Sequence, residues 1–239
     1  MLVGQIALSF PQLPTAIPIC LNFVWRPGCK LQRLFRHLFP EVDRMKNLLQ
    51  QISQCNICAP HLPMGCRPVV QLSAQSKVVI IGQAPGRKVH ESGIPWNDRS
   101  GATLRSWLNV DEQQFYNPDL FSIMPMGFCY PGKAASGDLP PRKECAPLWH
   151  AQLMSMFEHK PLVLLIGQYA QRHYLNMSTA DNLTTTVKNF ANYLPDYFPL
   201  PHPSPRNQHW VTMNPWFMEE AIPVLRNEVA KAIGESKDG

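Results

Sequence analysis

The sequence predicts an α/β protein in which helices cover both faces of a central, mostly parallel sheet of four strands, giving three layers. Short apolar runs rich in β-branched residues end at a glycine in residues 77–82 and 161–167. Such runs are typical of strands that are buried on both faces. Helical segments alternate with the strands along the chain, and this alternation favours parallel pairing because each crossover places a helix on the sheet.

The remaining elements follow in chain order. A weaker strand is predicted at residues 121–126, and residues 197–201 form the approach to His202. Ser100 is a candidate N-cap, and Pro215 falls in the first turn of the last helix, where its missing N–H costs little. The predicted helices lie at residues 45–52, at 100–108, within 140–157 and at 214–233.

Composition limits the class of protein. The chain has 239 residues, of which 45% are hydrophobic, so it is long enough to build a sizeable core. It contains no run of eighteen apolar residues and no targeting signal, so we expect a cytoplasmic protein of bacterial type without a membrane span. The net charge of +5 is compatible with a polyanionic partner.

Residues 1–44 differ from the rest of the chain. They show no helical or strand period, and prolines interrupt their apolar stretch. They hold five basic and two acidic residues, and so carry three of the five net positive charges. We interpret residues 1–44 as an N-terminal extension, either disordered or upstream of a true start at Met45, and residues 45–239 as one folded domain.

Two loop segments about 120 residues apart carry the candidate chemistry. Gly82-Gln83-Ala84-Pro85-Gly86 follows a predicted strand and can turn tightly, bringing backbone amides close to a ligand. Gly93-Ile94-Pro95-Trp96 then ends in an aromatic face on which a flipped base could stack. Each segment alone is also consistent with an ordinary turn and with a tryptophan packed in the core.

The second segment is His202-Pro203-Ser204-Pro205-Arg206-Asn207. His202 could hydrogen-bond the carbonyl of a departing pyrimidine and stabilise the anion formed when the glycosidic bond breaks. Ser204 could hold a phosphate, and Arg206 could fill the gap left by a flipped nucleotide or grip the backbone. Because ligands of parallel sheets bind at the carboxyl ends of the strands, we expect both segments on one rim.

In this order, these segments resemble the signature motifs of the uracil-DNA glycosylase superfamily, and they are most similar to its iron–sulfur group, family 4. The resemblance covers roughly residues 55–233. It implies a monofunctional, monomeric DNA glycosylase that flips a deaminated base, uracil first, and hydrolyses its N-glycosidic bond in base-excision repair. It implies base-binding roles for Gly82, Gln83, Ala84 and Trp96, and DNA-binding roles for Ser204, Pro205, Arg206 and Asn207.

The seven cysteines argue against a secreted disulfide framework, because their number is odd and no signal peptide precedes them. Four thiolates can hold zinc or an iron–sulfur cluster, and spacing alone slightly favours zinc or no metal. The resemblance implies a structural [4Fe–4S] cluster, with zinc as the alternative occupant and Cys66 as a free thiol. Its ligands would be Cys55, Cys58, Cys129 and Cys145.

The chain departs from the family pattern at three places. Gln83 replaces the family's glutamate and cannot accept a proton at neutral pH. Val89 and His90 occupy the positions of an acidic pair, so Glu91 or His90 would have to position water beside His202. Residues 124–128 carry no amide side chain to read the base. These departures keep open a non-catalytic iron–sulfur protein that binds a damaged base, and, more remotely, a zinc protein with unrelated chemistry.

Basic residues near the later cysteines form one further candidate surface. Lys133, Arg142 and Lys143 could line DNA electrostatically, and a solvated charged face is the ordinary alternative. Trp210 and Trp216 could offer a stacking platform, but their helical context favours packing in the core.

Overall fold

The computed structural model describes residues 40–178 and 181–234, with side chains from residue 44 onward. Most of the predicted N-terminal extension therefore lies outside the described residues. The described strands are β1 (Val78–Ile81), β2 (Phe121–Ile123), β3 (Leu162–Ile166) and β4 (Tyr197–Leu200), and they form one sheet in the order β2-β1-β3-β4. Every pairing is parallel, which confirms the predicted α/β fold and extends "mostly parallel" to the whole sheet.

The helices alternate with these strands. In chain order they are α1 (Pro40–Ser53), α2 (Arg87–Ser92), α3 (Arg99–Leu108), α4 (Glu112–Phe115), α5 (Ala151–Met154), α6 (Gln168–Tyr174), α7 (Leu183–Lys188), α8 (Gln208–Met213) and α9 (Ile222–Ile233). Two π-helical turns, Ala146–His150 and Phe217–Ala221, lead directly into α5 and α9. None of the described helices has the length and apolar character needed to cross a membrane.

Two separate cores fix the three layers. Side chains alternate along a strand, so Val78 and Ile80 point to one face of β1 while Val79 and Ile81 point to the other. The first face belongs to a core that includes side chains from α3, α4, α7 and α9. The second belongs to a core built with α1, the π-helical turn before α5, and α6. All strand residues except Tyr197 are buried, which explains why the strands read as continuous apolar runs.

Several predicted boundaries were wrong. The helix predicted at residues 45–52 is α1, which begins at Pro40 and ends at Ser53. The N-cap of α3 is Asp98, whose side chain accepts a hydrogen bond from the Gly101 amide at 2.9 Å, and Ser100 lies inside the helix. The strand predicted at 121–126 ends at Ile123. The error at α3 arises because several polar residues near a helix start can each cap it.

The two late tryptophans belong to the core. Trp210 contacts Trp216 and Phe217 edge to face, with ring centroids 5.8 and 5.5 Å away. The Trp210 indole N–H donates to the Thr184 hydroxyl at 2.8 Å, which satisfies its polar atom. This arrangement favours packing over a stacking platform for bases.

Candidate active site

A cleft of about 400 Å³ opens at the carboxyl end of the sheet. One wall is residues 82–86, directly after β1, and the opposite wall comes from His202, Ser204, Arg206 and Asn207, after β4. Segments predicted from the sequence to share one rim therefore line the same cavity. Strand β3 lies between β1 and β4, and Gly167 at its end has φ 82°. A Cβ there would lie 4.0 Å from the His202 Cβ, which is an ordinary contact, so it is the positive φ and not a lack of space that favours glycine at this position.

Trp96 stands between the two walls. A Cβ on Gly82 would lie 2.9 Å from the Trp96 ring, so the glycine lets the indole pack directly on the backbone after β1. On the other side, the Trp96 and His202 rings are 5.5 Å apart at their centroids and tilted by 33°. Trp96 has a left-handed backbone with φ 56°. Its carbonyl oxygen would lie 1.7 Å from a Cβ on Gly101, so position 101 must be glycine to keep this geometry.

A hydrogen bond to the backbone of His202 fixes the position of this residue. The Asn207 side-chain amide donates to the His202 carbonyl oxygen at 2.8 Å, which closes the loop between β4 and the short 3₁₀ turn Pro205–Asn207. Burial lowers the pKa of His202, and the nearby Asp98 carboxylate partly opposes this shift. The imidazole is therefore neutral at neutral pH, and in that state it can donate one N–H to an acceptor in the cleft.

Asp98 is a cleft residue that sequence reasoning missed. It lines the same cavity as His202 and acts on the pKa of that histidine. Its Oδ1 caps α3 through the Gly101 amide, which fixes the carboxylate at the edge of the cavity. In the sequence, Asp98 looks like an ordinary helix cap, and no motif distinguishes a capping carboxylate from one that also faces a ligand.

Backbone hydrogen bonds join the first wall of the cleft, at Gly82 and Gln83, to the chain segment after β2. The Gly82 and Gln83 carbonyls accept hydrogen bonds from the Met126 and Gly127 amides at 2.9 and 3.0 Å. Pro125 lies in the same run and lines the cleft. The stretch without an amide side chain is therefore in the cleft, but it contributes backbone and a proline ring.

Glu91 and His90 lie apart from the cleft. Glu91 is exposed and pairs with Arg87 at 2.8 Å on the outer side of α2. His90 is buried, its ring contacts Tyr130 at 6.0 Å, and its Nδ1 has no hydrogen-bond partner. Neither residue is among those that line the cavity. The water-positioning role predicted for Glu91 or His90 therefore has no support in this geometry.

Ser204 and Arg206 lie at the mouth of the cleft. The Ser204 hydroxyl accepts the Arg206 amide at 3.3 Å and so caps the 3₁₀ turn that begins at Pro205. The Arg206 guanidinium reaches across to a turn at residues 132–139, where a Cβ on Gly137 would lie 2.6 Å from it. Ser136, Gly137 and Asp138 of this turn also line the cavity, and sequence reasoning did not place them there.

A buried hydrogen-bond chain supports the floor of the cleft. The His150 Nε2 lies 3.1 Å from the Pro125 carbonyl oxygen, and its Nδ1 lies 2.8 Å from the Tyr174 hydroxyl. A carbonyl can only accept, so Nε2 carries the proton and Nδ1 accepts from the tyrosine. This assignment requires a neutral imidazole, in agreement with burial that lowers the pKa of His150 to about 4.

We expect His150 to make stability depend on pH. The ordinary pKa of 6.5 applies to the unfolded chain and about 4 to the folded one. Between these values the unfolded chain binds more protons, so the free energy of unfolding falls as the pH falls. Urea denaturation near pH 7 and near pH 5 should differ by about 2 kcal/mol more in the wild type than in His150→Gln. The exposed His159→Gln serves as control; an equal pH dependence in wild type and His150→Gln would contradict the assignment.

The cysteines of the described chain gather in one place. A small pocket is lined by Cys55, Cys58, Cys66, Cys129 and Cys145. Burial raises the pKa of Cys129 to about 12 and that of Cys145 to about 11. Hydrogen bonds from the backbone of Arg67 to Cys129, and from the backbone of Phe128 to Cys145, oppose these shifts. The four predicted ligands therefore lie together, and Cys66 lies with them.

The thiols of this pocket are donors that both zinc and iron–sulfur clusters take. Among the described residues, no three Cys, His, Asp or Glu side chains are arranged to hold one metal ion. A single tetrahedral zinc needs every sulfur within about 2.3 Å of one centre. A four-iron cluster takes one thiolate per iron, so its ligands stand further apart, and backbone N–H groups directed at the sulfurs are among the features that tune such clusters.

Fold and cleft define the class of protein. The chain matches the uracil DNA glycosylase superfamily over residues 69–226, a segment that includes both walls of the cleft and most of the sheet. The chain therefore belongs to the uracil DNA glycosylase superfamily. The superfamily consists of DNA glycosylases, so membership implies DNA glycosylase activity in general terms, with DNA as the partner.

Proposed function

We propose that the protein is a monofunctional DNA glycosylase that removes a deaminated base, with uracil as the first candidate, and leaves an abasic site for base-excision repair. One observation carries this proposal: an aromatic face, a neutral histidine and a carboxylate, namely Trp96, His202 and Asp98, line one cleft of about 400 Å³. This cavity is large enough for a base that has left the stack.

The leaving group is the first chemical problem. A base that enters the cleft meets the Trp96 indole and the His202 imidazole, which lie beside each other in its wall. As the glycosidic bond breaks, negative charge develops on the pyrimidine. The neutral His202 donates an N–H hydrogen bond that strengthens as this charge grows, so it stabilises the transition state more than the ground state.

The nucleophile is the second problem. We assign Asp98 to the attacking water, because its carboxylate lies in the cleft and can accept a proton, whereas the Gln83 amide cannot. The cap on α3 uses one oxygen of Asp98, which leaves the second available to water. This assignment replaces the role predicted for Glu91 or His90.

Base selection would rest on Gln83 and on backbone groups. The Gln83 side chain lines the cleft and carries both a donor and an acceptor, which matches the mixed edge of a pyrimidine. The Pro125 carbonyl already accepts one hydrogen bond from His150, and it can offer a base only an acceptor. We therefore expect Gln83→Ala to alter the preference among uracil, hypoxanthine and xanthine.

We further propose that the protein belongs to the iron–sulfur group, with Cys55, Cys58, Cys129 and Cys145 holding a [4Fe–4S] cluster. The cluster would cross-link the segment after α1, the loop after β2 and the start of the π-helical turn before α5, and so stabilise the fold. None of these cysteines lines the cleft, so the cluster has a structural role in this scheme.

The cluster assignment predicts different results for two cysteines in the same pocket. Cys145→Ser should lose bound iron and the visible absorbance of the thiolate–iron bonds, because a ligand is missing. Cys66→Ser should keep both and serves as the matched control. The check is metal analysis and absorbance after anaerobic purification of each full-length variant. Zinc in place of iron in the wild type, or equal iron in Cys145→Ser, would contradict the assignment.

A second candidate function is favoured by one observation. Gln83 stands where a proton-accepting glutamate is expected, which suits a protein that recognises a damaged base without releasing it. Asp98 in the cleft argues against this alternative, because the site then retains a carboxylate.

A direct test distinguishes the two. The full chain, purified without oxygen, is incubated with labelled oligonucleotides that carry one uracil, hypoxanthine or xanthine, and the products are treated with alkali. Strand breaks at one lesion establish the glycosylase and identify its base. Binding without breaks, in protein that keeps its metal, would favour the non-catalytic alternative.

A further inference from the structure

A second groove lies beside the cleft. It has a volume of about 720 Å³ and runs between the 3₁₀ turn Ala59–His61, residues 139–143 and helix α6. It touches none of the chemical groups assigned above to catalysis. Its residues therefore need an explanation of their own.

The groove continues from the cleft. Leu139 lines both cavities, and its side chain is 40% exposed. The chain after β2 also separates them, since Pro125 lines the cleft and the next residue, Met126, lines the groove. A polymer that places one of its units in the cleft can therefore place the next unit in the groove, across Leu139.

The charge of the groove has one sign. Neither Asp nor Glu is among the described residues that line it, and its basic side chains are His61, Arg142, Lys143, Arg172 and His173. Arg142 is neutralised in part by its ion pair with Glu144. Lys143 is exposed, so its charge acts on a ligand in the groove, and the exposed His61 side chain offers a hydrogen-bond donor. Such a rim is complementary to a chain of phosphates.

The walls of the groove are mostly apolar. Four prolines line it together with the ring of Tyr169, and the prolines are Pro131, Pro140, Pro141 and Pro147. Rings and stiff apolar surfaces of this kind accept the faces of unstacked bases irrespective of sequence. A basic rim over a stacking surface is the usual construction of a site for single-stranded nucleic acid.

We propose that this groove binds the unpaired nucleotides on one side of the target base, so that the protein engages a single-stranded segment. The position of the nucleic-acid strand along the groove rests on the proposed function, because the target base must occupy the cleft. Binding of a single strand to the groove does not rest on that function. Phosphates would lie along Lys143 and His61, and the neighbouring bases would lie against Tyr169 and the prolines.

The test measures binding of a fluorescein-labelled single strand with a central tetrahydrofuran residue, which offers no base to excise. Lys143→Ala in the full chain should weaken binding roughly fivefold at low salt and reduce the slope of log K against log salt by about 0.7. The matched control is Lys160→Ala. Lys160 is exposed and pairs with Asp196, near the amino end of β3 and away from the groove. It should change neither quantity.

Truncation of the strand locates the effect. Two series shorten the oligonucleotide from the 5′ side or from the 3′ side of the tetrahydrofuran. In one series the affinities of wild type and Lys143→Ala should converge once the nucleotides that reach the groove are removed. Equal affinity and salt slope in wild type and Lys143→Ala overturn the proposal, as does convergence in neither series. If Lys143→Ala weakens binding of a glutamate-rich peptide but not of the single strand, the groove is a site for a protein partner. This result would overturn the proposal as well.

The outcome is independent of catalysis. If Lys143→Ala weakens DNA binding but no base is excised, the groove proposal stands and the proposed glycosylase activity is wrong. If uracil is excised but Lys143→Ala binds DNA as the wild type does, the glycosylase proposal stands and the groove proposal is wrong.

Discussion

Replacing His202 with alanine is expected to lower base excision by about two to three orders of magnitude while leaving DNA binding near the wild-type value. The loss follows from the hydrogen bond to the departing base, which is strongest when the pyrimidine carries its negative charge. The imidazole contributes little to ground-state binding in this scheme. Single-turnover cleavage of a uracil oligonucleotide measures the first quantity, and anisotropy on a tetrahydrofuran oligonucleotide measures the second.

The control for this variant is His209→Ala. His209 is exposed and lies on α8, seven residues after His202, so its removal should leave cleavage unchanged. If His202→Ala cleaves at the wild-type single-turnover rate, His202 does not stabilise the departing base. A parallel loss of binding would show instead that the loop after β4 has moved, because Asn207 holds the His202 backbone.

Asp98→Asn is expected to lower excision by roughly a hundredfold or more, because an amide cannot take the proton of the attacking water. Asparagine caps helices as well as aspartate does, so the bond to the Gly101 amide and the stability of α3 should persist. The variant therefore separates proton acceptance from the structural role of the residue. Single-turnover rates and thermal unfolding are measured on the same preparation.

Asp111→Asn provides a matched control for Asp98→Asn. Asp111 caps α4 through the Gln114 amide at 2.7 Å and lines no part of the cleft. Both variants should unfold near the wild-type temperature, and only Asp98→Asn should lose cleavage. Full activity in Asp98→Asn would contradict the assignment of the attacking water to Asp98.

The sheet was predictable because its strands are buried on both faces. Val78 to Ile81 and Leu162 to Ile166 carry the β-branched and aliphatic side chains that such burial demands. The position of the two walls followed from the rule that loops after parallel strands share one edge. Helix starts were less predictable, since Asp98 and Ser100 are both acceptable caps and only the fold decides between them.

The composition of the cleft was only partly predictable. Trp96 and His202 lie in recognisable segments, and their mutual contact follows once β1 and β4 are in one sheet. Asp98 has a local explanation as a cap, so its second role is invisible in the sequence. The turn at residues 132–139 reaches the cleft because Gly137 meets Arg206, a contact between segments almost 70 residues apart that no local pattern records.

The two walls of the cleft are carried by β1 and β4, which do not touch because β3 separates them. No contiguous piece of the chain that lacks β3 can therefore present both walls in register. Excision activity should appear only after the last strand has been synthesised and docked, and proteolytic fragments should be inert towards DNA. Since pairings of such high sequence separation form late and slowly, the catalytic competence of a nascent chain is tied to completion of its fold.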